Sequence, residues 1–422
     1  MTTQHGNLTT TDLSRNVPLG YLRMFLTLLV VAHHAVLAYH PYAPPPPKVL
    51  DGEQMIWAAF PVVDSQRWPG TDLFVGFNDT FFMSLLFLIS GVFAWSSLAR
   101  KGGGTFLRDR FVKLGIPFLV SAGILAPLAY YPAYLSISTP SASFWSQWLS
   151  LGKWPAGPAW FLWVLLAFAC VAAAVHKLAP ETFSLLGRLA GRLGNRPIAF
   201  LGAVVALSAL VYLPMAAAFG PIDWVSAGPF FVQVSRILHY AAYFFIGIAI
   251  GVFGLDCGLL AAEGKLARRW PLWIGASLGA FVLAVVTFLI VLSTYAKGGP
   301  GPILGTFGNL TFVLSCAATS FACLSAFSRF ATRPNRVGDS LSANAYGIYL
   351  FHYVCVSWLQ LALLDAPLSG AGKGSLVFLG ALLLSWTLSA LLGRIPVIGR
   401  ILGNASVPRG NAGVGAAVVA PA

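Results

Sequence analysis

The chain has 422 residues, of which 57% are hydrophobic and only 9% charged, and its mean hydropathy is +0.77. Soluble globular proteins carry about 25% charged residues, so a water-soluble domain is excluded. A net charge of +13 does not mark a nucleic-acid binder here. The cations recur in alternate loops, as positive-inside topology requires, and no nucleic-acid-binding motif is present.

Taken in order, residues 1–18 are polar and lack the basic n-region, short apolar core and small-residue cleavage site of a signal peptide. They are expected to form a cytoplasmic tail. Ten apolar segments follow, near 19–39, 80–98, 114–132, 158–176, 197–219, 231–254, 271–294, 302–327, 344–364 and 375–393. Each is long enough to cross a hydrocarbon core of about 30 Å as a helix, and lipid leaves no partner for an open backbone. The expected fold is all-α: a polytopic membrane protein of about ten transmembrane helices, with a membrane domain over 19–394. A Gly-, Ala- and Val-rich tail over 395–422 is expected to be partly disordered. Twenty of the 26 lysines and arginines fall in one set of alternating loops and five in the other, with Arg236 at the start of a span. This split predicts that both termini are cytoplasmic.

The first span holds Arg23 and His34. A central charge costs roughly 2.5–3.5 kcal/mol on insertion scales, so ionisable residues kept inside a span usually serve a function. Eleven positions at about 100° return to nearly one face and separate the two by roughly 16 Å along the axis. Arg23 is thereby expected near the inner surface and His34 near mid-depth. Neutral imidazole suits proton abstraction from a hydroxyl. His33 competes for that role but sits about 80° off the stripe.

The loop after this span begins His40-Pro-Tyr-Ala-Pro-Pro-Pro-Pro47 and contains Trp57, Asp64, Trp68 and Asp72. Such a mixture either binds sugar through rings and carboxylates or forms an interfacial aromatic belt with a solvated rim. Ser84 and Ser90 lie in the second span, where small polar residues serve packing as readily as chemistry. Arg100, Lys101, Arg108, Arg110 and Lys113 make the densest basic cluster. It reads either as a topology anchor or as a site for a cytoplasmic polyanion such as a coenzyme phosphate. Arg236 and His239, and Tyr349 and His352, are further intramembrane pairs. The five cysteines form no Cys-x-x-Cys motif and read as free thiols, and no metal-ligand cluster is evident.

Several of these segments, in this order, resemble the acyltransferase-3 family of membrane O-acyltransferases. Arg23-x10-His34 resembles its first-helix signature. Phe87-Leu-Ile-Ser-Gly-Val-Phe93 resembles its Phe-x-x-Ser-Gly-Phe segment, with Val92 where the last Phe is expected. Arg110-Phe-Val-Lys113 resembles its Arg-x-x-Arg element, with lysine replacing the second arginine. Pro158-Ala-Trp-Phe-Leu-Trp163 and Tyr346-Gly-Ile-Tyr-Leu-Phe-His352 resemble two later stretches. Within the family, His33-His-Ala-Val-Leu-Ala-Tyr39 and the Pro-rich loop are most similar to the branch of glucan biosynthesis protein C, associated with succinylation of periplasmic glucans.

The resemblance implies an acyltransferase of the inner (cytoplasmic) membrane. It would move an acetyl or succinyl group from cytoplasmic acyl-CoA to a hydroxyl of an extracytoplasmic cell-envelope glycan or lipid-linked acceptor. Acyl-CoA is then a donor substrate, and no permanently bound cofactor or metal is implied. His34 and Arg23 carry the expected catalytic roles, and Arg23, Arg110 and Lys113 bind the coenzyme. His33, Ser90, Trp163, Tyr349 and His352 are supporting candidates. The rival class is a transporter or flippase for an envelope glycan or lipid, although no inverted repeat of short or interrupted spans is visible. The acyl group, the acceptor, the choice between His33 and His34, a covalent acyl-enzyme and the oligomeric state stay open at this level.

Overall fold

The computed structural model describes residues 16–137 and 142–403. Arg15, Arg409 and most of the two expected tails therefore lie outside the described residues. The first helix, α1 (Val17–Leu37), begins where the Asn16 side chain accepts from the Leu19 amide at 3.0 Å, with proline in its first turn. The second, α2 (Thr71–Arg110), starts well before the expected residue 80. In place of an open cytoplasmic loop after it, the chain breaks its helix only at Gly102, whose φ of 71° suits glycine. It then continues as helix to residue 135.

That continuation is irregular for a definable reason. Two π turns, Phe111–Gly115 and Ser121–Leu125, flank α3 (Ile116–Val120) and precede α4 (Ala126–Leu135). Pro117, Pro127 and Pro132 each lack an amide hydrogen. The Lys113 carbonyl, four residues before Pro117, instead accepts from the Tyr346 hydroxyl. Leu128, four before Pro132, accepts from Trp358 Nε1 at 2.9 Å. Ala122 precedes Pro127 by five residues, the spacing of a π turn, and accepts from Trp154 Nε1 at 2.8 Å. Three aromatic donors thus satisfy carbonyls that lipid could not.

A short α5 (Phe144–Ser150), α6 (Trp160–Leu178), an amphipathic α7 (Glu181–Gly194) and α8 (Pro197–Phe219) follow. An antiparallel hairpin of β1 (Trp224–Ala227) and β2 (Phe230–Gln233) pairs Trp224 with Gln233 and Ala227 with Phe230. Beyond it lie α9 (Ile237–Phe253), the short α10 (Lys265–Arg268), α11 (Trp270–Thr294), α12 (Pro302–Phe330), α13 (Arg336–Ala362), α14 (Gly370–Leu392) and α15 (Pro396–Leu402).

Among the described residues, eight helical segments are long and apolar enough to cross a membrane. One of them, the 65-residue run from Thr71 to Leu135, contains the break at Gly102 and supplies two of the expected spans. The 27-residue α13 is more polar and completes the set of ten. The chain is an all-α multi-pass membrane protein. Its connections obey the expected alternation. Tyr21 at the start of α1 meets Asp339 at the start of α13 at 2.7 Å, whereas the loop after α1 meets the first turn of α14.

The tightest crossing joins α2 to α9. A Cβ on Gly91 would stand 2.0 Å from the Phe244 carbonyl oxygen, and one on Gly247 would stand 2.0 Å from that of Leu88. Small residues at both positions let the backbones approach, which is how membrane helices gain packing energy without a hydrophobic driving force. The main apolar core spreads from this crossing through Phe81, Phe87, Phe161, Phe168, Tyr243 and Phe244.

The loop after α1 is folded onto the bundle rather than left open. Asp64 accepts from Lys373 Nζ at 2.7 Å, and both side chains are only 1% exposed. Trp57 is buried and donates to the Asp51 carbonyl at 3.0 Å. The expectation that this loop offers Trp57 and Asp64 to a sugar is therefore corrected. Both are internal, because a buried lysine on α14 needs its carboxylate and the ring fills the cluster around Tyr130 and Trp148.

Candidate active site

Helix α13 brings the sequence motifs together. Over three successive turns its side chains and carbonyls touch three of them, the first at both of its ends. The Ser342 carbonyl accepts from Arg23 Nη2 at 3.4 Å. One turn later the Tyr346 hydroxyl reaches Lys113, at the end of Arg110-Phe-Val-Lys113. The Tyr349 hydroxyl donates to the Pro158 carbonyl, at the start of Pro158-Ala-Trp-Phe-Leu-Trp163. His352 Nε2 lies 3.3 Å from His34 Nδ1. Residues far apart in the chain thus line one helix face at the i, i+3 and i+4 spacings that share a face.

The centre is the His34–His352 pair, with ring centroids 5.1 Å apart. His352 is fully buried and its Nδ1 is 2.6 Å from the Tyr349 carbonyl. His34 is half-buried, with Nδ1 2.8 Å from the Val30 carbonyl, one turn earlier on α1. A carbonyl accepts and never donates. Each neutral ring therefore holds its proton on Nδ1, which assigns the tautomers from their bonding partners. The His34 Nδ1–H is shared between Val30 and the lone pair on His352 Nε2. This leaves His34 Nε2 as a lone-pair nitrogen, and no protein group among the described residues bonds it. The Gln360 amide donates to the His34 carbonyl at 3.0 Å and to that of Ala35 at 3.2 Å, holding α1 against α13.

His33 is placed differently. Its ring stacks on Phe82 at 5.3 Å and lies 5.3 Å from His34, and its Nδ1 is buried without a partner. Tyr353 packs edge-on to His34 at 5.0 Å and donates to the Ala58 carbonyl at 3.2 Å, as Tyr130 does at 2.9 Å. The folded outer loop is therefore bonded to the aromatic wall beside the pair. A small, partly open recess adjoins this wall, lined by Tyr349, Tyr353, Pro158, Ser121 and several alanines.

Toward the other end, Arg23 is exposed between α2 and α13, its guanidinium 5.9 Å from the Phe93 ring. Arg110 is half-buried over Phe106 at 5.0 Å, and Lys113 is exposed. Lys101 in the same cluster pairs with Asp109. Of the remaining candidates, Trp163 donates to the Phe231 carbonyl at 3.0 Å and so anchors the hairpin rather than the histidines. Ser90 is half-buried on α2, and no hydrogen bond ties it to the pair. Sequence reasoning missed Tyr353 and Gln360. They share one face of α13, seven residues apart and about 80–100° round the helix from His352, and that spacing is the only signal that pointed to them.

Fold and site define a multi-pass membrane protein with a histidine pair in its interior and a cationic end on one side. The acyltransferase domain model of the acyltransferase-3 family matches residues 17–393. The chain belongs to that family and is a membrane acyltransferase, a transferase of groups other than aminoacyl groups. No curated protein and no solved structure matches it.

Proposed function

We propose that the protein is an O-acyltransferase of the cytoplasmic membrane. In this reading it moves an acetyl or succinyl group from cytoplasmic acyl-CoA to a hydroxyl of an extracytoplasmic cell-envelope glycan. The observation that carries the proposal is the oriented His34–His352 pair, with His34 Nε2 left free to accept a proton.

The chemistry follows from that geometry. Arg23, Arg110 and Lys113 hold the coenzyme phosphates at the cationic end, where guanidinium and ammonium groups bind phosphate well. The pantetheine arm extends into the bundle and brings the thioester toward His34. His34 Nε2 takes the acceptor hydroxyl proton as the oxygen attacks the thioester carbonyl. The new carbon–oxygen bond forms, the carbon–sulfur bond breaks, and the proton passes from His34 to the departing coenzyme thiolate. His352 Nε2 accepts from the imidazolium while it exists. His352 is thus a positioning residue and His34 the catalytic base.

Inverted membrane vesicles supplied with labelled acetyl- or succinyl-CoA test the reading. Label should pass into endogenous envelope acceptor with the unaltered chain. His34→Ala should lower the rate by about 10²–10⁴, the worth of a positioned base, with the variant still inserted. Full activity in that variant would end the proposal.

A further inference from the structure

The combination of rings and a carboxylate expected in the loop after α1 occurs elsewhere in the fold. Asp79 lies on α2 inside a span, yet its side chain is 50% exposed. Arg236, at the start of α9, is 8% exposed and holds it twice. Nη2 donates to Asp79 Oδ2 at 2.8 Å and Nη1 to the Asp79 backbone carbonyl at 3.1 Å. The guanidinium also stacks on Phe312 at 4.7 Å. No protein group among the described residues bonds Asp79 Oδ1. A carboxylate that is fixed, ionised and half exposed would not be left facing hydrocarbon, so it opens to water.

Its level in the bundle is defined by Phe82, three residues later on the same face of α2, whose ring stacks on His33. Asp79 therefore stands about 4.5 Å from the histidines along the axis, toward the end that carries the hairpin. From Arg236 a run of neighbouring rings leads by way of the buried Tyr240 back to the hairpin. Tyr240 is one turn along α9, Trp160 stacks on it with centroids 5.7 Å apart, and Trp224 of β1 meets Trp160 at 5.8 Å. Trp224 is 49% exposed. The hairpin that carries it is held in place by Trp163 to the Phe231 carbonyl and by Gln233 to that of Pro221, both at 3.0 Å.

We infer that Asp79, Trp160 and Trp224 form the acceptor subsite and that it takes a neutral saccharide chain. Carboxylate oxygens accept from sugar hydroxyls, and exposed rings offer an apolar face with low conformational cost. Arg236 keeps the carboxylate ionised and oriented, and the fixed hairpin presents a ring that need not be ordered on binding. This inference rests on the acyl-transfer reading and names its acceptor.

The test uses the full chain in inverted vesicles, with labelled acetyl-CoA as donor probe and label followed separately into carbohydrate and lipid fractions. Trp224→Ala changes an exposed hairpin residue and should lower label in carbohydrate by about tenfold, as loss of one stacking partner does. Trp224→Tyr should restore it and Trp224→Leu should not. Asp79→Asn should give a similar loss. Protection of each purified variant against heat by acetyl-CoA shows that the fold and donor site persist. Unchanged carbohydrate labelling in Trp224→Ala, or rescue by Leu equal to that by Tyr, would overturn the inference. So would label confined to sugar-free lipid, although acyl transfer itself would stand. No label in any fraction with the unaltered chain would instead remove the underlying reading.

Discussion

His352→Gln probes the histidine pair without removing the proposed base. His352 Nε2 is 3.3 Å from His34 Nδ1, whereas the Val30 carbonyl is 2.8 Å from the same nitrogen. The closer partner survives the substitution, so the His34 ring keeps its tautomer and its direction. What is lost is the second acceptor for the imidazolium that forms as the hydroxyl proton arrives. A hydrogen bond to a charged group contributes about 1.5–3 kcal/mol, or roughly ten- to a hundredfold in rate. The shared geometry places this loss at the lower end, about tenfold in kcat. In the proposed reading the coenzyme phosphates are held at Arg23, some 16 Å away by the helical rise, so the KM for acyl-CoA should not move. The assay is the initial rate of label transfer in inverted vesicles over a range of acyl-CoA concentrations. An unchanged kcat, or a higher KM at constant kcat, would refute a role for His352 in the reaction and leave the pair as packing.

Two further outcomes test the scaffold. Lys373→Met leaves the Asp64 carboxylate buried and unpaired and should cost about 3–5 kcal/mol, seen as an earlier thermal unfolding in detergent. The double variant Asp64→Leu with Lys373→Met removes both charges and should recover most of that loss; no recovery would mean that the pair does more than neutralise itself. Gly91→Ala places a Cβ 2.0 Å from the Phe244 carbonyl oxygen. It should destabilise by about 1–3 kcal/mol as α2 and α9 are forced apart, whereas Gly76→Ala on the same helix, with nothing within 4 Å, should be neutral.

Much of the architecture is legible in composition. Ten apolar segments correspond to the helices observed, because a span in lipid must satisfy its backbone internally whatever its neighbours are. The misreadings have local causes. The second span begins at Thr71 because Asp72 and Asn78 dilute the apolar signal while the backbone stays helical. The loop expected after it is a single glycine break. Asp64 and Trp57 looked available in the sequence, since nothing local reveals that Lys373, some 300 residues later, is buried beside them. Asp79 and Arg236 are each visible as costly intramembrane charges, but only Arg236 attracted attention, and their pairing crosses two helices.

The sequence by itself determined the membrane class, the family and the motif-bearing residues, Arg23, His34, Arg110, Lys113, Tyr349 and His352 among them. Those follow from hydropathy, spacing and residue type, which are properties of the chain alone. What each of the two adjacent histidines meets was decided only in three dimensions. His33 and His34 are chemically alike and adjacent, and they differ because one ring faces Phe82 while the other meets Val30 and His352. The same holds for the role of α13. Its residues become a site only because helix packing lays Ser342, Tyr346, Tyr349 and His352 against three segments that the chain keeps far apart, α1 twice among them.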